Sequence, residues 1–193
     1  MMEMILNDRL FNPQYEVIEG VKYMAPSASG EHNSIVMRLG LIFGNYFDKK
    51  NNGKLYGDNV DVHFPDGNVF QPDFKVVLDP SIIKRGGTIY GVPDLCVEVL
   101  SRSTAKRDIG IKKDVYERNG VREYWIVSQH EKSIEVYHLI DGKYVLDDVY
   151  SVYPPNEWEN LSDEERARVK FKIKVTLFDD LEIDVHDVFR WID

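Results

Sequence analysis

The 193-residue sequence predicts an α/β domain of the α+β kind, a mixed central β-sheet flanked by helices with extra β-hairpins, and three patterns carry that prediction. Leu95–Leu100 and Glu123–Val127 are almost continuously apolar, as strands buried on both faces are. Between Glu31 and Lys50 the residues Ile35, Leu39, Ile42, Phe43, Tyr46 and Phe47 recur at helical spacing. Turn signals at Pro65-Asp66-Gly67-Asn68 and Asp141-Gly142 separate stretches that alternate and are rich in β-branched residues. With 43% hydrophobic and 12% aromatic residues the chain has globular composition, which excludes disordered and collagen-like classes. Its length fits a single domain, residues 1–193, with a sizeable core.

In chain order, Tyr15–Met24 alternates around Gly20 and reads as a small hairpin. Ser29 is placed to cap the helix that Asn51-Asn52-Gly53 ends. Leu55–Phe64 and Val69–Leu78 read as one β-hairpin around Pro65–Asn68, and Asp79–Thr88 as a polar connection. Ser101–Asn119 reads as a capped helix closing at Gly120. Ser133–Leu139 and Lys143–Val149 form a second hairpin. Pro154–Arg168 is polar, with a short helix starting near Ser162. Phe171–Leu177 is a last strand and Val185–Trp191 a last helical turn.

A formal charge of −9 argues against nonspecific coating of nucleic acid, yet the charge is unevenly spread. Residues 101–125 carry seven basic side chains against four acidic ones, while 1–100 carry 9 against 13 and 141–193 carry 7 against 14. The basic segment is thus an island in an acidic protein. A single cysteine, Cys96, excludes an internal disulfide and suits a reducing, cytoplasmic setting. No apolar run reaches the ~20 residues of a membrane span, so no membrane association is expected. Residues 1–11 read as too short and too acidic for the apolar core of a signal peptide, so none is expected there.

The informative residues are acids where apolar residues belong. Glu98 interrupts the strand Leu95–Leu100, and Asp73 is a second acid in a strand of Val and Phe. A lone buried carboxylate costs several kcal/mol or is forced neutral, and a divalent cation compensates it well. Carboxylate oxygens with water are a ligand set for Mg2+ or Mn2+. The plain alternative is that both acids face solvent at strand ends.

Pro72-Asp73, followed after 24 residues by Glu98, is similar to the PD-(D/E)xK nuclease signature. The wider words Gln71-Pro-Asp73, Val92–Ser101, Arg107-Asp108, Lys112, Tyr116 and Gly120–Val127 together resemble the Uma family of bacterial restriction endonucleases in that superfamily. Tyr15–Gly20, Met24-Ala-Pro, Glu31-His32 and Leu177–Phe189 extend the resemblance. It covers residues 15–150 and about 175–192, leaving 153–172 as a variable insertion before a C-terminal strand and helix at 173–193. The resemblance implies a restriction-endonuclease-like core with Asp73 and Glu98 on adjacent strands holding Mg2+ or Mn2+.

The signature places a lysine two residues after the second acid, where this chain has Leu100. The resemblance moves it to the following helix, at Lys112. From there a long, flexible side chain can reach back to orient the attacking water or stabilise charge on the phosphorane. Lys113 lies about 100° around the helix and is not its equivalent. Arg102, Lys106, Arg107 and Lys113 are expected to meet phosphates of DNA, with Ser101 and Ser103 adding hydroxyls. Glu31, in a helix's first turn, is a third candidate ligand, equally explained by the helix dipole. A homodimer would pair two sites to cut both strands.

The remaining candidates read as structural. Asp94 precedes Glu98 by four residues, ~13 Å along a strand, and fits a strand entry. Asp108 fits a local ion pair. His32 and His63 look isolated, with no zinc-type cluster. Tyr124 and Trp125 fit the core, and the acidic residues Asp179, Asp180, Glu182, Asp184 and Asp187 a solvated surface. Two rival functions stay open: a non-catalytic nucleic-acid- or protein-binding member of the fold, and a phosphodiesterase acting on RNA or nucleotides.

Overall fold

The computed structural model describes residues 15–24, 28–50, 53–101 and 108–192. Tyr15–Ile18 (β1) and Val21–Met24 (β2) form the expected hairpin, turned by Glu19 and Gly20 at positive φ. The long helix α1 spans Gly30–Lys50. Its first turn is capped by Ser29, whose Oγ accepts the His32 N–H at 3.1 Å. The capping fixes which face turns inward: His32, Ile35, Leu39, Phe43 and Phe47 are buried, and Glu31 is exposed.

Six short strands follow: Lys54–Tyr56 (β3), Val62–His63 (β4), Val69–Phe70 (β5), Phe74–Val77 (β6), Ile89–Tyr90 (β7) and Leu95–Leu100 (β8). One π-turn, Asp108–Lys112, leads into helix α2, Lys113–Asn119, which ends at Gly120 in the left-handed conformation (φ 90°). Glu123–Ser128 (β9), Ser133–Ile140 (β10) and Lys143–Ser151 (β11) complete the larger sheet. Then come helices Pro155–Asn160 (α3) and Asp163–Arg168 (α4), strands Lys172–Lys174 (β12) and Glu182–Asp184 (β13), and a last turn of helix, Val185–Val188 (α5). Ser162 opens α4 with a full capping box to Glu165.

Among the described residues three sheets form, ordered β11-β10-β9-β8-β6-β3, β2-β1-β5-β4-β7 and β12-β13. The architecture is mixed α+β: β8 and β9 run parallel at the centre of the larger sheet, and its other pairs are antiparallel. Because side chains alternate across a sheet, β6, β8 and β9 serve two cores. Phe74, Val76, Leu95, Val97, Val99, Trp125 and Val127 pack against α1 and the C-terminal elements. Val77, Cys96, Tyr124 and Ile126 pack against α2 and the five-stranded sheet. Each fully buried large side chain stabilises the fold by roughly 1.5–3 kcal/mol, and Trp125, Tyr124, Phe43 and Phe74 are all at or below 1% exposure, as core residues should be.

Two expectations are corrected. The hairpin read over 55–78 is split between sheets: its tip pairs β4 with β5, while its base pairs β3 with β6 in the larger sheet. The base register, extended inward, would set Val62 against Val69, but Val62 pairs with Phe70. One residue of mismatch must be absorbed between the ladders. It is absorbed where Pro72 offers no N–H and Asn59 takes a positive φ of 65°. The strand expected at 171–177 is confined to Lys172–Lys174, and its partner is β13, within the acidic stretch read as surface. Glu182 is exposed there, yet Ile183 between the acids is buried.

Candidate metal centre

The β6–β8 register pairs Phe74 with Val97 and Lys75 with Cys96, and one further step sets Asp73 opposite Glu98. Alternation then places Asp73, Lys75, Cys96 and Glu98 on one face, the face covered by α2 and the smaller sheet.

Asp73 is held from two sides. Its Oδ2 accepts the Val99 N–H at 2.6 Å, a strong, charge-assisted contact from the neighbouring strand. The same oxygen lies 3.1 Å from His32 Nε2. Burial works to raise the Asp73 pKa, but the His32 hydrogen bond and charge, the Lys112 charge and the Val99 N–H outweigh it and hold the carboxyl below its ordinary range. Burial lowers the His32 pKa, and Asp73 and Asp58 more than offset this, so the imidazole titrates higher than usual.

Asp58 completes a cluster with these two. One ligand atom each from His32, Asp58 and Asp73 lie within 4.8 Å of one another. Burial, then the charge of Asp73, pushes the Asp58 carboxyl up to about 6. Two carboxylates that disfavour each other's charge beside an imidazole are a donor set that a divalent cation fits, because its charge offsets the burial and the repulsion that raise the Asp58 pKa.

Glu98 is 2% exposed. Its Oε1 accepts the Lys112 ammonium at 3.0 Å and the Tyr116 hydroxyl at 2.5 Å. Lys112 also meets Glu16 Oε1 at 2.8 Å, and Glu16 Oε1 accepts the Gln71 N–H at 3.2 Å. A buried ammonium is thus set between two buried carboxylates, from β1 and β8, and both sheets and α2 are pinned by it. Burial and the Glu98 charge push the Tyr116 phenol well up, so it stays a donor. Lys75, fully buried, donates to the carbonyls of Pro72 (2.7 Å) and Val60 (3.1 Å), tying the residue before Asp73 to the segment after Asp58. Burial pulls its ammonium down to about 8.

Of the residues expected at the site, Asp73, Glu98 and Lys112 therefore come to one face of the β6–β8 pair. Glu31 does not join the His32, Asp58 and Asp73 cluster; capping turns it outward and turns His32 inward. His32 is not isolated, which corrects the expectation; His63 stacks on Tyr90, with ring centroids 4.3 Å apart. Lys113 lies 3.5 Å from the Tyr137 ring centroid, directed to β10 rather than to the acids. Arg102, Lys106, Arg107, Ser103 and the Asp108 side chain lie outside the described residues. Asp94 is structural: its carboxylate accepts the Leu78 N–H at 2.8 Å and meets Arg122 at 3.3 Å.

His32, Asp58, Glu16 and Lys75 were missed in the sequence. Glu16 had a usable signal, since it is two residues from the buried Ile18 on the same strand face. Asp58 had none.

A mixed sheet that converges acids from neighbouring strands onto one helix-covered face is the arrangement of a nuclease-like fold. The chain belongs to the Uma2 family, described as "Putative restriction endonuclease", which matches residues 8–171. It is 31% identical over 132 residues to the uncharacterized protein slr1290 of Synechocystis sp. (strain PCC 6803), covering 66% of this chain and 67% of that one. Its fold matches the crystal structure of a protein from Anabaena variabilis titled a putative nuclease belonging to DUF820, with a TM-score of 0.66. That match has 18% identity and covers 96% of this chain and 97% of the other. No helix among the described residues is long and apolar enough to cross a membrane.

Proposed function

We propose that the protein is a divalent-metal-dependent endonuclease that hydrolyses phosphodiester bonds in DNA. The observation that carries this reading is the facing of Asp73 and Glu98 across the β6–β8 pair, with the buried Lys112 on Glu98 and its charge acting on Asp73. Asp73 and Glu98 would hold Mg2+ or Mn2+; when bound, the ion supplies an activated water and neutralises charge on the phosphate. The chain's own residues do the rest. The Val99 N–H fixes the Asp73 carboxylate, and Lys112 orients the water and offsets charge at phosphorus as the water oxygen bonds and the leaving oxygen departs. Arg102, Lys106, Arg107 and Lys113 would meet flanking phosphates. Two copies would cut opposite strands, in the cytoplasm.

One observation favours a non-catalytic, nucleic-acid- or protein-binding role instead: Lys112 is ion-paired to Glu16 as well as Glu98, so its charge is already matched. Incubation with supercoiled plasmid, single-stranded DNA and RNA, in Mn2+, Mg2+ or EDTA, decides between them. Metal-dependent cleavage lost in Asp73→Asn and Glu98→Gln is expected, with Lys112→Met reduced by orders of magnitude. Cleavage of RNA alone would move the substrate class. Cleavage unchanged in Asp73→Asn would refute the site.

A further inference from the structure

The residues gathered on Asp73 are more specific than a pair of carboxylates. We propose that the cation is held by a mixed imidazole–carboxylate set, His32, Asp58 and Asp73, and that this set selects first-row transition-metal ions over Mg2+ and Ca2+. The inference rests on the metal-dependent reading above and names the class of ion that site takes.

Three features carry it. First, spacing: ligands at ~2.1 Å on adjacent corners of an octahedron stand ~3.0 Å apart, and His32 Nε2 lies 3.1 Å from Asp73 Oδ2. The third ligand atom, from Asp58, closes a cluster in which every pair is within 4.8 Å, close to the ~3.0 Å cis and ~4.2 Å trans separations around one such ion. Second, His32 is nine-tenths buried, and its Nδ1 has no hydrogen-bond partner. Buried polar atoms without partners are uncommon in folded proteins. With Nδ1 unpartnered the imidazole is not a bridge between two protein groups, and its directed contact runs from Nε2 to the Asp73 carboxylate. Third, the scaffold fixes all three donors separately. The Ser29 cap sets the first turn of α1 so that residue 32 faces the sheet. Lys75 ties the Pro72 carbonyl to that of Val60, holding the chain beside Asp73 against the chain beside Asp58. The Val99 N–H anchors Asp73 itself.

The donor chemistry sets the preference. Oxygen-only sites suit Mg2+ and Ca2+, which are hard ions. An imidazole nitrogen adds affinity for transition ions along the order from Mn2+ upward and little for Mg2+ or Ca2+. Glu98, accepting from Lys112 and Tyr116, stands outside this cluster and would complete the coordination of an ion already held.

Mn2+ is the probe, because its binding and its ligands are read by electron paramagnetic resonance without any activity. Wild-type protein is titrated with Mn2+, with Mg2+ and Ca2+ as competitors, and the bound ion is examined by electron spin-echo envelope modulation for imidazole nitrogen. Expected are a preference for Mn2+ over Mg2+ of roughly tenfold or more, nitrogen modulation, and loss of both in His32→Ala, with Asp58→Asn and Asp73→Asn weakening binding throughout. Bound Mn2+ without nitrogen modulation, with binding lost in Asp73→Asn, overturns the inference and leaves the nuclease site standing, His32 being only a hydrogen-bond partner. Mn2+ affinity unchanged in Asp73→Asn overturns both. The spectrum of the wild type decides the point even where His32→Ala fails to fold.

Discussion

Replacing Lys112 with methionine removes the ammonium that lies 2.8 Å from Glu16 and 3.0 Å from Glu98, with all three side chains at or below 7% exposure. Methionine keeps the volume, so packing changes little and the loss is electrostatic. Two carboxylates remain in a buried site without that cation. The least costly response is for one to take up a proton. From an ordinary glutamate value of ~4.3, protonation costs about 4 kcal/mol at pH 7 and about 2 kcal/mol at pH 5.5. The first figure agrees with the ~3–5 kcal/mol typical of breaking a buried ion pair by removing one partner. The sign follows from linkage: a carboxyl whose folded-state pKa is raised by the substitution binds its proton in the fold, so the variant recovers stability as pH falls toward 4.3 and loses it as pH rises. Urea unfolding of wild type and Lys112→Met at pH 7 and pH 5.5 measures both numbers, and the pH 7 difference corresponds to a fall in Tm of roughly 10 °C. Adding Glu98→Gln to the variant should return most of the loss, because the carboxyl that had to take up a proton is then neutral. A cost below 1 kcal/mol at pH 7, or one that does not shrink at pH 5.5, would refute the account of Lys112 as the counter-charge of this network.

Lys75→Met tests the second buried ammonium. Its pKa is pulled down to about 8, so the folded protein sheds that proton before the unfolded chain does, and wild type should gain on the variant by up to about 3 kcal/mol between pH 8 and 10.5, read by urea unfolding across that range. Gly53→Ala places a Cβ 2.6 Å from the Val77 carbonyl oxygen at a φ of 140°, and a loss of at least ~1–3 kcal/mol is expected by the same method; a loss under 0.5 kcal/mol would contradict the close approach of β3 to β6. Ser162→Ala breaks the capping box of α4 at a cost of about 1 kcal/mol, seen as faster amide exchange over 165–168 with little change in global stability, because α4 buries no residue.

The elements legible in the sequence are those with an unbroken period. α1, β8, β9 and the β10–β11 hairpin each repeat one pattern long enough to fix both type and inward face, and Asp73 and Glu98 stood out because each breaks such a pattern. The rest of the site is built from residues whose neighbours say nothing about their burial. His32 sits in a polar helix start, where the choice between it and Glu31 depends on the Ser29 hydrogen bond rather than on hydropathy. Asp58 belongs to no period, and its meeting with Asp73 is a product of how two sheets dock. Lys75 looked like the polar beat of a half-exposed strand, but β6 is covered on both faces, so the alternating position is interior as well. The split hairpin was illegible for a related reason: alternation predicts pairing, not which sheet each half joins.

The one-residue offset between the β3·β6 and β4·β5 ladders has an evolutionary consequence. Connecting segments ordinarily tolerate insertions and deletions. Here the deletion of a single residue within 57–61 would bring both ladders into a common register and let the two arms zip into one continuous hairpin. Asp58 and Asp73, which now lie outside any strand at the seam, would become rungs of a ladder or vanish with the deletion. The spacing of that seam therefore matters to the site as much as its chemistry does, and length variation that leaves the site intact should fall elsewhere, at the turn of residues 65–68 or in the polar stretch of residues 153–172.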